Sequence, residues 1–209
     1  TKGTLEKLLA YELLLEQQPE LHGKVTMIAI CVPAAREMTI YKQLQTQIEQ
    51  VVGRINGRHS RVGWVPLQFF FRGFPFEELI PYYATADIMW VTPLRDGLNL
   101  IAKEFVAVQG MLRGYGVLVL SEFAGAAAEL KGAILTNPHD ISDLTARCLQ
   151  AIRMPRTEAR GRLRQLFEIV RHHDVAQWGA GFLEAIDAAV AHQNESTSST
   201  VAAASTQPA

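Results

Sequence analysis

Short apolar runs alternate with amphipathic segments along most of this chain of 209 residues. The runs are rich in β-branched residues, as is typical of buried strands, and they cover residues 24–32, 65–73, 87–93, 115–121 and 133–138. Segments with helical spacing cover residues 4–19, 37–56, 75–86, 98–113, 122–130, 141–152, 156–171 and 174–192. Because strands that alternate with helices form right-handed βαβ units, this order predicts an α/β fold with a parallel sheet.

The composition is that of a globular protein with one sizeable core, since 48% of the residues are hydrophobic and 20% are charged. A net charge of -1 gives no reason to expect nucleic acid or an anionic membrane as a partner. No apolar run approaches the roughly 18 to 20 residues of a membrane span. Cys31 and Cys148 lie far apart, which predicts buried thiols in a reducing compartment and hence a cytoplasmic protein.

The two ends of the chain differ in character. The first residues, "TKGTLEKLL", lack an initiator Met and lead directly into a helical pattern, so we expect that the chain begins inside a longer protein. Residues 194–209 are small and polar, and they cannot bury enough surface to offset the entropy of ordering. The sequence therefore predicts one domain over 1–193 and a disordered tail over 194–209.

Residues 91–107, "VTPLRDGLNLIAKEFVA", form a strand-to-helix corner that is unusually rich in charge. Asp96 and Gly97 follow a predicted strand, and ligands of parallel sheets bind at the carboxyl ends of strands. The backbone N–H groups of Leu98, Asn99 and Leu100 would begin the next helix, which suits a phosphate group. Gly97 would let a ligand approach the backbone closely.

Glu104 falls about two helical turns after Gly97, where a carboxylate could accept hydrogen bonds from a ribose diol. Arg95 and Lys103 could add cationic contacts. An alternative requires no ligand: Asp96 would cap the helix, Gly97 would serve the turn, and Glu104 would belong to a solvated face. The residues alone leave both interpretations open.

The stretch "TPLRDGLNLIAKEFVA" resembles the signature of the family-20 retaining glycosyltransferases, which include trehalose-6-phosphate synthases and glucosylglycerol-phosphate synthases. Other segments agree with this family in order: "TKG" (1–3), "VVGRING" (51–57), "GVLVLSEFAGAAAEL" (116–130), "NPHD" (137–140) and "HHDVAQWGAGFL" (172–183). The resemblance covers nearly all of the chain except the tail.

The resemblance implies a GT-B glycosyltransferase, in which two Rossmann-like domains face a cleft. This chain resembles the C-terminal domain, a doubly wound parallel sheet that holds the nucleotide sugar. The N-terminal domain, which mainly holds the acceptor, would be its partner in the parent chain. The family also has an arginine a few residues before the lysine of "TKG", and this arginine is not in the chain.

The resemblance also assigns roles to individual residues. Lys2 and Asp96 would be catalytic, with Lys2 on the diphosphate and Asp96 on the glucosyl unit. The backbone from Gly97 through Leu98 and Asn99 to Leu100 would contact the glucosyl unit and the diphosphate. Glu104 would bind the ribose hydroxyls.

The nucleobase would lie against "FRGFPFEEL" (71–79), which makes Phe74, Pro75 and Leu79 candidate contacts. Alternatively, Phe74 and Leu79 are core residues. Arg36 lies near the place where trehalose-6-phosphate synthases carry "SRG", but "PAAREMTIY" departs from that pattern, so the acceptor-phosphate role is not carried over.

The implied reaction retains the anomeric configuration and uses no metal or other cofactor. The local sequence, including Met89-Trp90 before the signature and Leu98 after its glycine, favours a glucosylglycerol-phosphate synthase with ADP-glucose and glycerol 3-phosphate as substrates, in osmoprotection. One alternative is a trehalose-6-phosphate synthase, which takes UDP-glucose and glucose 6-phosphate as the phosphorylated acceptor. Another is a non-catalytic domain that binds nucleotide sugar or regulates a partner.

Overall fold

The computed structural model of the protein describes residues 1–33, 39–173 and 175–204, without the side chains of residues 39, 40, 178 and 191–204. The chain divides into two compact units, Thr1–Glu168 and Ile169–Ala209. Every strand of the described residues lies in the first unit. Among the described residues, no helix combines the length and the apolarity that crossing a bilayer requires.

Five short strands pair in parallel, which confirms the predicted α/β architecture. They are β1 (Met27–Ile30), β2 (Leu67–Phe70), β3 (Ile88–Val91), β4 (Val117–Ser121) and β5 (Ile134–Thr136). One group has the order β1-β2 and the other has the order β3-β4-β5. Each strand is shorter than the apolar run that predicts it, because the ends of the runs belong to the connecting loops.

The described residues contain seven α-helices: α1 (Thr4–Gln17), α2 (Thr39–His59), α3 (Phe76–Thr85), α4 (Leu100–Met111), α5 (Ile141–Arg153), α6 (Arg156–His172) and α7 (Val175–Ala204). The start of α5 has a side-chain cap, because one carboxylate oxygen of Asp140 accepts hydrogen bonds from the N–H groups of Ser142 and Asp143 at 2.8 and 3.1 Å. This cap is recognisable in the sequence, because aspartate is a preferred N-cap residue and Asp140 directly precedes the predicted helix 141–152.

The segment 122–130 is not the α-helix that the sequence predicts. It contains only a 3₁₀ turn over Gly125–Ala128. The reason is that the N–H groups of Gly125 and Ala126 donate to the carbonyls of Asp96 and Leu98, at 2.8 and 3.1 Å. These donors belong to the strand-to-helix corner, so they are not available to start a helix.

The last helix reaches into the segment 194–209, and the disorder that the composition predicts for this segment stays a prediction. α7 continues over residues 194–204, where the composition predicts a disordered tail, and residues 205–209 lie outside the described residues. Extending an existing helix needs no new nucleus, and alanines favour the helical state. The domain boundary at residue 193 stays a prediction.

One hydrophobic core joins the elements of the first unit. α1 contributes three of the large, fully buried side chains, Leu8, Leu14 and Leu15, which are 0% exposed. All five residues of β4 are buried. Cys148 lies in this core, as predicted, whereas Cys31 is only half-buried. Full burial of each such leucine contributes about 1.5–3 kcal/mol, so α1 is a main support of the unit.

The residues before α1 attach its first turn to the end of β3. The carbonyl of Thr1 accepts from the N–H of Leu94 at 2.9 Å, and the carbonyl of Gly3 accepts from Thr92 Oγ1 at 3.2 Å. Gly3 has a φ of +65°, and a Cβ at this position would overlap the carbonyl oxygen of Thr92. The approach of the two backbones therefore requires glycine.

Replacement of Gly3 tests this attachment. We expect Gly3→Ala to lower the free energy of unfolding by at least about 2 kcal/mol, because a left-handed backbone and a steric overlap act together. Gly23→Ala is the matched control: Gly23 also has a positive φ, +79°, but nothing lies within 4 Å of an added Cβ. This control should cost about 1 kcal/mol. Urea unfolding of both variants measures the difference, and equal losses would contradict the proposed overlap.

Candidate active site at the carboxyl end of β3

An ion pair joins the two predicted catalytic residues across 94 positions of sequence. The ammonium Nζ of Lys2 lies 2.7 Å from Oδ2 of Asp96. Lys2 reaches this point because Thr1 and Gly3 are attached to the end of β3, and Asp96 follows the same strand. The structure thus brings together two residues that the sequence pattern alone does not connect.

The two members of this pair are held very differently. The side chain of Asp96 is 15% exposed, while that of Lys2 is 70% exposed. Asp96 also accepts from the N–H of Leu98 at 3.4 Å and from Nδ2 of Asn99 at 3.2 Å. The carboxylate is therefore the fixed member of the pair, and the ammonium is the movable one.

The same contacts favour the ionised form of Asp96. The Lys2 ammonium holds the pKa of the Asp96 carboxyl below its ordinary value, and the donors of Leu98 and Asn99 act in the same direction against a partial burial that raises it. Asp96 is thus negatively charged at neutral pH and forms an ion pair with the Lys2 ammonium.

The backbone of the corner is hydrogen-bonded to the loop after β4. Asp96 donates its N–H to the carbonyl of Phe123 at 3.2 Å, and its own carbonyl accepts from Gly125 at 2.8 Å. A Cβ at Gly125 would overlap the carbonyl of Gly97, so the two segments touch where only glycine fits. Sequence reasoning missed Gly125, although a glycine inside a predicted helix is a signal of such contact.

The helix after the corner begins two residues later than predicted. α4 starts at Leu100, and its N-cap is Asn99, which has a φ of 62° and accepts from the N–H of Ala102 at 3.1 Å. Of the three predicted donors, Leu98 already donates to Asp96. The N–H groups of Leu100 and Ile101 head the helix and have no intrahelical acceptor, so they are the donors that α4 can offer to an anion.

Gly97 has no evident structural requirement within the chain. Its φ is not positive, and an added Cβ would meet nothing within 4 Å among the described residues. The simple turn-glycine interpretation therefore lacks support, since most residues could adopt this conformation without a clash. The neighbouring side chains of Leu98 and Leu100 are about half exposed, at 49% and 56%.

Glu104 lies on α4 and is contacted from α3. The hydroxyl of Tyr83 donates to Oε2 of Glu104 at 2.9 Å. The Tyr83 side chain is buried, and its contact was not foreseen because it connects two helices 21 positions apart. Glu104 is therefore not simply part of a solvated helix face.

The two cations expected near the site are not both available for ligand contact. Lys103 forms an ion pair with Glu129, Nζ to Oε2, at 2.8 Å. This contact ties α4 to the residue after the 3₁₀ turn and gives Lys103 a structural role. Arg95 is exposed to solvent.

The candidate base-contacting residues lie in the loop before α3 and in the first turn of this helix. Phe74 has the guanidinium of Arg72 over its ring at 4.3 Å and packs edge-on against Phe70 and Tyr82, with ring centroids 5.6 and 6.0 Å apart. Pro75 is the exposed N-cap residue of α3, and Leu79 is half-buried. Neither Phe74 nor Leu79 is a fully buried core residue. Arg36 lies outside the described residues.

The site therefore consists of two groups of contacts linked by α4. Lys2, Asp96 and Asn99 form one group at the start of the helix, and Tyr83 and Glu104 form the other. No group of three or more His, Cys, Asp or Glu side chains that could hold a metal ion occurs in the part of the chain that the structure describes.

The fold and this corner define an α/β protein with a candidate ligand site at the carboxyl ends of parallel strands, where proteins of this class bind their ligands. The profile of "Glycosyltransferase family 20" matches residues 1–188. The chain belongs to this family, as its sequence motifs predict.

Three comparisons specify the relationship. The chain is 68% identical over 186 residues to a glucosylglycerol-phosphate synthase from Pseudomonas anguilliseptica, which covers 89% of this chain and 25% of that protein. It is 41% identical over 184 residues to a trehalose-6-phosphate synthase from Cronobacter sakazakii, which covers 88% of this chain and 39% of that protein. The structure of an α,α-trehalose-phosphate synthase (UDP-forming) from Burkholderia xenovorans, in complex with glucose-6-phosphate, superposes with a TM-score of 0.83 and 38% identity, over 88% of this chain and 40% of that one.

These comparisons confirm the predicted Rossmann-like α/β domain of the GT-B type. They also establish that the chain spans between 25% and 40% of the length of the three proteins to which it is compared.

The cap residue Asn99 provides a test of the corner. Asn99→Ala should lower the free energy of unfolding by about 2 kcal/mol, because it removes the cap and places alanine at a positive φ. Asn99→Gly keeps the backbone unstrained and should cost less than half as much, since glycine itself is tolerated at N-caps. Chemical unfolding of both variants separates the contributions. Equal losses would show that the backbone conformation at residue 99 is not strained.

Proposed function

We propose that this chain is the nucleotide-sugar-binding part of a retaining glucosyltransferase, a glucosylglycerol-phosphate synthase that transfers glucose from ADP-glucose to glycerol 3-phosphate. The single observation that carries the proposal is the Lys2–Asp96 pair at the carboxyl end of β3, beside the start of α4. The 68% identity to a glucosylglycerol-phosphate synthase favours this subfamily over the trehalose-6-phosphate synthases.

The donor diphosphate would bind where Lys2 now meets Asp96. An ion pair with a member that is 70% exposed contributes at most about 1 kcal/mol, so Lys2 can leave Asp96 at little cost. Its ammonium then pairs with the diphosphate, together with the N–H groups at the head of α4. Asp96 keeps its contacts with Leu98 and Asn99, and its carboxylate can accept hydrogen bonds from the glucosyl hydroxyls.

The reaction needs stabilisation of the departing nucleoside diphosphate. Negative charge develops on the leaving phosphate oxygen, where the helix amides are already oriented and the Lys2 ammonium, once it has left Asp96, can stabilise it. The acceptor hydroxyl attacks from the face that the diphosphate leaves, so the anomeric configuration is retained. No metal or other cofactor enters this proposal.

The nucleoside would extend along α4 toward α3. Oε1 of Glu104 is available for the ribose diol, since only Oε2 is bonded to Tyr83 among the described residues. The base would lie near Phe74, Pro75 and Leu79. The second substrate, a phosphorylated acceptor, would be held mainly by an N-terminal domain of the parent chain, which is a partner we propose from the family architecture. We propose a cytoplasmic location on the same grounds.

Titration with nucleotide sugars tests the donor. Calorimetry with ADP-glucose and UDP-glucose should show preferential binding of ADP-glucose to this chain. Glu104→Ala should weaken that binding about 10-fold or more, because charged hydrogen bonds to the ribose are lost. Glu158→Ala, which removes an exposed carboxylate of α6, is the matched control and should bind normally.

The outcomes of this titration separate the alternatives. A preference for UDP-glucose would favour a trehalose-6-phosphate synthase, in agreement with the UDP-forming relative of known structure. Binding that survives Glu104→Ala unchanged would remove the ribose assignment. Absence of binding for both sugars at millimolar concentration would contradict a donor site formed by this chain alone.

A pair of glycine variants tests the corner independently of charge. Gly97→Ala should change the free energy of unfolding by no more than about 0.5 kcal/mol, because no described residue occupies the space of the added Cβ. It should nevertheless weaken nucleotide-sugar binding at least about 10-fold, through a clash with the ligand. Gly125→Ala should instead destabilise the fold, because its added Cβ would overlap the carbonyl of Gly97. If Gly97→Ala binds ADP-glucose normally, the ligand does not lie against residue 97.

A further inference from the structure

We propose that Tyr83 is a positioning residue that orients the Glu104 carboxylate and thereby sets how strongly the site prefers a ribose over a sugar without the 2′ and 3′ hydroxyls. This inference rests on the proposed function, because it assumes that Glu104 faces the ribose. It adds a residue from α3, outside the signature that carries Asp96 and Glu104, to the recognition of the nucleotide.

The contact itself is direct and enclosed. Tyr83 is 5% exposed, and its hydroxyl donates to Oε2 of Glu104 at 2.9 Å. A buried hydroxyl needs a partner, and Glu104 is the acceptor that the structure gives it. The bond occupies one side of the carboxylate and leaves Oε1 without a partner among the described residues.

The bond has a fixed direction. Burial, followed by the hydrogen bond to Glu104 and its negative charge, raises the pKa of Tyr83 well above its ordinary value. The phenol therefore remains protonated at all physiological pH values and always donates. The ionised carboxylate of Glu104 can only accept, so the hydroxyl of Tyr83 is always the donor in this hydrogen bond.

The backbone that carries Tyr83 is also tied to the helix that carries Glu104. Gln109, which is buried in α4, donates from Nε2 to the carbonyls of Tyr83, Ala84 and Ala86 at 2.8, 3.1 and 3.1 Å. Its Oε1 accepts from the N–H of Gly116 at 3.2 Å. The end of α3 is thus fixed on α4 by backbone and side-chain contacts together, so Tyr83 presents its hydroxyl from a rigid position.

The consequence for binding is a pre-oriented acceptor. An unrestrained glutamate on a helix samples several rotamers, and ordering it on binding reduces affinity. Tyr83 holds the carboxylate in one orientation before the ligand arrives, which favours ligands that use Glu104 and has no effect on ligands that do not. The role of Tyr83 should therefore appear in the ratio of affinities for two sugars rather than in affinity alone.

The experiment compares this chain with its Tyr83→Phe variant in titrations with ADP, UDP and their 2′,3′-dideoxy counterparts. The wild-type chain should prefer the ribose forms. Tyr83→Phe should reduce that preference about 3- to 10-fold, the effect expected for one hydrogen bond, while affinity for the dideoxy nucleotides stays within about twofold. In a Glu104→Ala background, Tyr83→Phe should cause no further reduction in the preference.

Controls distinguish positioning from a loss of fold. Tyr115→Phe removes a hydroxyl elsewhere in the same unit and keeps the ring that lies under the Arg156 guanidinium, so it should retain the wild-type preference. Thermal unfolding checks that every variant is folded. Equal weakening of ribose and dideoxy forms by Tyr83→Phe would indicate a structural role only and overturn the proposal.

Failure of the inference can be told apart from failure of the proposed function. If Glu104→Ala abolishes the ribose preference and Tyr83→Phe leaves it intact, Tyr83 does not position Glu104, but the donor site stands. If the wild-type chain binds ribose and dideoxy nucleotides equally, Glu104 does not face the ribose and both proposals fall.

Discussion

The close approach of Gly3 to the carbonyl of Thr92 is the constraint on which the site depends. It lets the residues before α1 run against the end of β3, where Thr1 and Gly3 accept hydrogen bonds from Leu94 and Thr92. Lys2 lies between these two attached residues, so its ammonium lies within ion-pair distance of Asp96. The buried leucines of α1 hold the helix on the core, and the glycine determines how close its first turn comes to the strand.

Two glycines at the corner differ in whether the packing of the protein requires them. Gly125 is required by the protein itself, because a side chain there would overlap the carbonyl of Gly97. Gly97 has no positive φ, and a Cβ added there would meet none of the described residues within 4 Å, so the described part of the chain does not require glycine at this position. A glycine without an internal reason, beside free helix donors, is most simply explained by an external group that approaches the backbone.

The sequence predicted what depends on local pattern and missed what depends on tertiary contact. The alternation of apolar runs and helical segments was sufficient for the parallel α/β fold, and Asp140 was recognisable as a cap. The segment 122–130 was wrongly predicted as a helix because its N–H donors are taken by a corner some 28 positions earlier, which periodicity cannot reveal. Family resemblance assigned Lys2 and Asp96 to one donor site, but it did not predict the ion pair between them. The contact of Tyr83 with Glu104 came from neither source, since it joins two separate helices.

α4 gives the site its internal geometry. Asn99 at its start holds Asp96, and Glu104 lies five residues later, about 7.5 Å along the axis at 1.5 Å per residue. A rigid helix therefore fixes the separation between the N–H groups at the start of α4, which would bind the diphosphate, and the Glu104 carboxylate, which would bind the ribose. The movable element is Lys2, because the loss of one exposed ion pair costs little, whereas the carboxylates are held by Asn99 and Tyr83. In the proposed binding mode, the two carboxylates would be fixed acceptors for sugar hydroxyls and Lys2 would be the movable cation for phosphate. Binding would then move a lysine and leave the backbone of the corner in place.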